Sequence, residues 1–202
     1  MKLLSYRIRV LRDGEAFSLG GEAPVPEERG EFRIVRDLPE GHLESVTASL
    51  PLGIKDDEKI FMNGYQSWTY CPEYSRRSSI RPYGPLPRFL VRHFRLDRYG
   101  DYHFVDYDRT PGRTHGFSYC YFRHGDRYRL FASLDERPGY TIFRYDANSE
   151  VLSVERDCAG LACGGEYHAF DLFYAEGSED EVFDAWFAAM GARPRTAQKI
   201  AG

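Results

Sequence analysis

Apolar and polar residues alternate along most of this chain in runs too short for helices. Leu4, Tyr6, Ile8 and Val10 take every second place with polar or charged neighbours between them, the period of a strand that buries one face. Asp13-Gly14 then predicts a tight reversal into a second strand over 16–19, because both residue types tolerate the left-handed backbone that such turns need. Residues 20–30, with Pro24 and Pro26, predict a loop, and 32–35 and 43–50 two further strands. A short run at 59–62 follows. In the second half, 89–96, 102–107, 117–123, 128–134, 140–145, 151–154 and 167–174 all predict strands. Gly125-Asp126, Arg137-Pro138-Gly139 and Asp146-Ala147-Asn148 supply turns between several of them. Strands at regular spacing with turn signals predict an antiparallel all-β sandwich rather than βαβ units. No fixed-period repeat appears, which argues against a propeller or solenoid.

A single helix stands out near the end. Ser178 and Glu181 form a capping-box pair, in which the Ser oxygen takes an orphan N–H and the Glu reaches back. Val182, Phe183, Trp186, Phe187 and Met190 make an apolar stripe that predicts core packing, and Gly191 and Pro194 end the helix. The pattern divides the chain into a β domain over 1–177 and a helix with a basic linker over 178–202. Between Cys71 and Pro87 the sequence is too irregular for an element and predicts a long loop.

Composition narrows the function classes. The chain has 202 residues, 42% of them hydrophobic, and 15 Tyr and 14 Phe among them, enough apolar mass for a sizeable core. A formal net charge of −4 gives no electrostatic footprint for nucleic acid. No stretch reaches the length of a membrane span, and the first residues lack the apolar run of a signal peptide. Cys71, Cys120, Cys158 and Cys163 form no C-x-x-C pair and predict free thiols. Together these predict a cytoplasmic protein.

Most candidate chemistry dissolves on inspection. Asp106-Tyr107-Asp108 has the form of a metal-holding D-x-D pair, but with no nucleotide-binding half before it the pair predicts an exposed strand end. His103 and His115 lack carboxylate partners at fixed spacing, so neither a metal nor a cofactor is predicted. The glycine-rich run 160–165 lacks the Lys-Ser/Thr ending of a phosphate loop and predicts a turn. Ser67 has no flanking glycines of a nucleophile elbow. Arg76, Arg77 and Arg81 beside Tyr74 and Tyr83 predict a solvated loop or a domain contact. Although 31 residues are acidic, none is assigned as acid, base or nucleophile.

One segment holds more information. Asn63-Gly64-Tyr65-Gln66-Ser67-Trp68 follows the strand-like run Lys59-Ile60-Phe61-Met62. Asn63 and Gly64 predict a tight loop start. Tyr65 and Trp68 offer flat apolar faces with a polar handle, suited to a ligand with C–H faces and hydroxyls, or to plugging the end of a sandwich. The hexapeptide resembles a signature in the N-terminal domain of family 36 glycoside hydrolases, chiefly α-galactosidases. The layout of a β-rich body, one helix and a short basic stretch is similar over nearly the whole chain.

The resemblance implies a galactose-mutarotase-like β-supersandwich that packs against a catalytic (β/α)₈ barrel lying beyond this chain. It implies a non-catalytic role, in which Trp68 walls the pocket for a terminal α-linked galactose while Tyr65 and Gln66 line the pocket or hold the loop. The implied partners are α-galactosides at the barrel interface, the barrel itself and a second copy of the chain, with no nucleic acid and no membrane. Three other readings stay open: an autonomous carbohydrate-binding module with Tyr65, Trp68 and Tyr70 as platform, a mutarotase-like enzyme, and a structural or oligomerisation domain.

Overall fold

The computed structural model describes residues 2–65, 70–80, 86–94 and 110–193. Among the described residues the fold is all-β and antiparallel, with two helices. The leading hairpin joins β1 (Lys2–Arg12) to β2 (Glu15–Val25), and its turn residues Asp13 and Gly14 both have positive φ, 52° and 83°. Leu4, Tyr6, Ile8 and Val10 are all buried, as their alternation predicts. The predicted loop over 20–30 is mostly strand: β2 runs on to Val25, and β3 (Arg29–Pro51) begins four residues later. Gly20 and Gly21 are tolerated there because the Tyr6 ring lies flat against Gly21, where a Cβ would stand 2.5 Å from the hydroxyl oxygen.

The two strands predicted over 32–35 and 43–50 are one strand, β3, of 23 residues. It is the spine of the molecule. One edge of its second half carries β1. The other edge carries β9 (Val151–Arg156) and then β10 (Ala162–Gly177) in tandem, with Val151 opposite Pro51, Ala162 opposite His42 and Ala175 opposite Arg29. Register shifts in β10 near Gly165 and after His168 let the long ladder bend. The glycine run predicted as a turn is therefore divided: Gly160 turns with φ 82°, whereas Cys163, Gly164 and Gly165 already belong to β10.

Two layers grow from this spine. From β9 the first continues through β8 (Thr141–Asp146) to β5 (Arg113–Phe117). From β10 the second continues through β7 (Arg127–Ser133) and β6 (Tyr119–His124) to β4 (Lys59–Met62). The layers face each other across one apolar core, in which Phe122 of β6 meets Tyr145 of β8 edge-on at 4.8 Å. The strand predicted over 117–123 is split, since Ser118 adopts φ 63° and turns the chain from β5 into β6. Its N–H donates to Thr141 O at 2.9 Å and its O accepts from Ser133 N–H at 2.7 Å.

Below this corner lies a buried guanidinium. Arg156 donates to the carbonyls of Ala169, Asp135 and Gly139 and to the Thr141 hydroxyl, so its charge is spread over main-chain oxygens of both layers. Burial lowers its pKa and raises that of Glu136, 3.6 Å away, although Arg156 itself pulls the carboxyl back down.

The segment predicted as a strand over 89–96 is instead a short helix, α1 (Arg88–Phe94), as far as it is described. Pro87 sets the backbone at its entry, and its carbonyl accepts from Leu90 and Val91. Val91 is buried while Phe89 and Phe94 are exposed, a placing that strand alternation cannot give. The strand predicted over 102–107, with Asp106, Tyr107, Asp108 and His103, lies outside the described residues.

The second helix, α2 (Glu179–Gly191), starts at the predicted capping box, where the Glu181 carboxylate accepts from the N–H and hydroxyl of Ser178 at 2.8 and 2.9 Å. Val182 and Trp186 are buried on the outer face of β7 and β10, and the indole N–H donates to Ser133 O at 3.2 Å. The predicted apolar stripe is only partly core: Phe187 and Met190 are 54% and 37% exposed. One sheet has room under a single row of the helix, and these two side chains lie beyond it. Among the described residues no helix is long and apolar enough to cross a membrane, and the four cysteines are free thiols, Cys120 and Cys158 buried.

Glycine spacing gives a direct test of this layer joint. A Cβ on Gly116 would stand 2.7–2.9 Å from the backbone of Met62 and Asn63, whereas one on Gly191 meets nothing within 4 Å. Chemical unfolding should show Gly116→Ala losing roughly 1–3 kcal/mol and Gly191→Ala gaining up to about 1 kcal/mol.

Candidate functional site

The hexapeptide begins at the joint between the layers. Asn63 follows β4, and its carbonyl accepts from Phe117 N–H at 2.8 Å while its side-chain N–H donates to Phe117 O at 3.0 Å. Its own N–H donates to Tyr119 O at 3.3 Å. Asn63 thus bonds to β5 and β6 at once, on both sides of the Ser118 corner. The Asn-Gly pair forms no two-residue hairpin: β4 pairs with β6, and the chain comes back on its other edge only at Tyr74, bridged to Ile60. Asn63 bolts the start of this segment through its side-chain amide.

Tyr65 is the second fixed point. Its ring meets Phe117 edge-on at 5.5 Å and Tyr140 at 5.1 Å, and its hydroxyl donates to the Tyr140 hydroxyl at 3.1 Å. Phe117 and Ile142 form a small cluster separate from the main core, with Tyr65 packed on them. Successive strand residues face opposite sides, and Phe143 and Tyr145 belong to the core between the layers. Ile142 and Phe117 therefore lie on the outer face of the first layer, and Tyr65 roofs one end of it. Tyr65 itself is half-buried there. Gln66, Ser67 and Trp68 lie outside the described residues, as does Arg81.

Beyond the loop the chain is clamped again. Glu73 accepts from both Arg123 and the Tyr121 hydroxyl, and those bonds, that of Arg123 foremost, hold its carboxyl below the usual range against the cost of burial. Tyr70 is exposed beside this clamp. Arg76, predicted to be solvated, is instead built into the fold: it donates to the carbonyls of Ile54 and Ala147 and to Glu150.

Next to Phe117 a cavity of about 340 Å³ opens on the same outer face. It is lined by Arg113, His115, Arg144, Asp146 and Ser153, with Ile80 on its rim. Arg113 bonds Asp146 at 2.9 Å and Arg144 lies 3.0 Å from Glu155. His115 is 6% exposed and stands edge-on to Phe117 at 6.2 Å. Thr114, which also lines the cavity, buries a hydroxyl without a hydrogen-bond partner. Sequence reading set His115 aside as a metal ligand and did not identify Tyr140, Phe117 or Arg144. Among the described residues no three His, Cys, Asp or Glu side chains gather as a metal site would require. No protein-family model matches this chain, and no curated protein matches it.

The depressed Glu73 carboxyl predicts a pH-sensitive clamp over residues 70–74. A carboxyl whose folded pKa is depressed adds stability that is present above its unfolded value and lost as pH falls through the folded one. Amide exchange at residues 70–74 should therefore quicken below about pH 4, the unperturbed carboxyl range, and Glu73→Gln should quicken it at neutral pH. In the hexapeptide segment Asn63→Ala, which removes the side-chain amide donor to the Phe117 carbonyl, should cost roughly 1–3 kcal/mol, and Tyr65→Phe only about 1 kcal/mol. Thermal melts of the two variants separate these effects.

Proposed function

We propose that this chain is a non-catalytic β-sandwich domain of a retaining α-galactosidase, and that it presents the Asn63–Trp68 loop as one wall of the galactose pocket. The observation that carries the reading is the double fixing of the loop base. Asn63 is bolted to β5 and β6 by three hydrogen bonds, and Tyr65 is packed on Phe117 and Tyr140. A loop that leaves a rigid sandwich from two fixed points can hold an aromatic group at a set place over a neighbouring active site. The wording of the hexapeptide supports the same reading, as does the all-β body followed by α2.

In this reading the catalytic carboxylates belong to a barrel that the domain packs against, and Trp68 stacks on a C–H face of terminal α-linked galactose in substrates such as raffinose or melibiose. The indole excludes water from the scissile bond, and Gln66 lines the pocket beside it. Asn63 and Gly64 shape the base, and Tyr65 props it. The outward Phe187 and Met190 on α2 are available to a neighbouring domain or a second copy. A cytoplasmic setting fits the buried free thiols Cys120 and Cys158.

Trp68→Ala in the whole gene product should lower kcat/KM for an α-galactoside by tenfold or more, the factor set by ~1.4 kcal/mol of lost transition-state contact. Its melting temperature should be unchanged. A fall in stability without a kinetic defect would make Trp68 a core plug and remove the assignment.

A further inference from the structure

The outer face of the first layer holds a polar trough that runs across five strands. Strand register places His115, Arg144, Ser153, Ser49 and Ser5 in one line, from β5 through β8, β9 and β3 to β1. A parallel line runs Phe117, Ile142, Glu155, Thr47 and Arg7. The cavity beside His115 is continued by a second of about 400 Å³, lined by Ser5, Arg7, Thr47, Ser49, Ser153 and Glu155. Ser153 lines both. Each cavity is the size of a small-molecule site, about 300–1,000 Å³.

We infer that this trough binds a neutral oligosaccharide laid across the strands, independently of whether a glycosidase barrel adjoins the domain. Three features select that ligand. The central floor is hydroxyl (Ser5, Thr47, Ser49, Ser153) at outward strand positions where a packed protein partner would call for apolar side chains. Four of its charges form two pairs, Arg113 with Asp146 and Arg144 with Glu155, and Arg7 stands apart from them. Each pair sets donors beside acceptors, as a row of sugar hydroxyls requires, while a polyanion would meet Asp146 and Glu155 and a polycation the arginines. The Nη groups of Arg144 and the whole guanidinium of Arg7 are without protein partners among the described residues, leaving donors for ligand oxygens. At one end Tyr65 and Tyr140 raise an aromatic rim beside Phe117, the kind of face a sugar ring covers. Tyr65, the last described residue of the hexapeptide, thus stands at the end of the trough.

Titrating the ¹⁵N-labelled chain with raffinose tests this, with sodium sulfate as the anionic control. Raffinose should shift the amides of Arg144, Ser153 and Ser49 and saturate with a Kd of roughly millimolar order, as expected for a shallow polar site. Arg144→Ala should weaken binding by about tenfold. Ser153→Trp, which fills the trough where the cavities join, should abolish it, and Trp68→Ala should leave these shifts in place. The half-exposed Arg144 makes its variant safe to fold if Ser153→Trp is not. Three outcomes overturn the proposal: no shift in the trough at saturating sugar, shifts that vanish only in Trp68→Ala, or saturation by sulfate alone. The second would leave the pocket-wall reading standing, and trough binding with no Trp68 effect on hydrolysis would leave the trough standing without it.

Discussion

The two layers of this sandwich meet where Gly116 crosses the backbone of Asn63, at a spacing that leaves no room for a Cβ. Much depends on that crossing. It lets Phe117, at the end of β5, hydrogen-bond to Asn63, the residue that follows β4, so that the sheet nearly closes on itself. It also places the left-handed Ser118 corner and the buried Arg156 behind the joint, where main-chain carbonyls from both layers converge on one guanidinium. A buried charge of this kind is tolerated when most of its donors are used: here four acceptors take Nε and Nη1, while Nη2 is buried without a hydrogen-bond partner among the described residues.

The same crossing ties fold to function. The residue that takes part in it, Asn63, is the first of the hexapeptide, so that segment starts from a point held by three hydrogen bonds. Tyr65 packs on the outer face of the first layer, and the polar trough begins beside it. The β3 spine makes such a face possible: because β9 and β10 share one of its edges in tandem, the first layer can extend sideways as a broad sheet while α2 covers the second layer alone.

Local patterns were legible where a single rule decides. The alternation in β1, the Asp13-Gly14 turn and the Ser178–Glu181 cap all read directly from residue type and spacing. The strand ends did not, because tertiary pairing extends them: β2 through two glycines against Tyr6, and β3 across Pro39 along β10. The α1 segment misled because Phe, Leu and Val favour strands until a proline sets the entry angle. In the candidate site, Asn63 and Tyr65 stood out as sequence, whereas Phe117, Tyr140, His115 and Arg144 are assembled only by the register of β5 and β8. One signal for the trough was present. Between the buried Val46, Ala48 and Leu50 every outward position is a hydroxyl residue, a choice that solubility alone does not require.

The central claim is that a rigid sandwich supplies a pocket wall to chemistry carried out elsewhere. Hydrolysis of a chromogenic α-galactoside, measured for this 202-residue chain and for the longest product of its own gene, tests that claim most directly. The account predicts no turnover from the chain alone and turnover from a longer product that adds a catalytic barrel. Turnover by the chain alone would place an acid and a nucleophile inside the sandwich, and a gene product that ends at Gly202 and stays inactive would contradict the account as well.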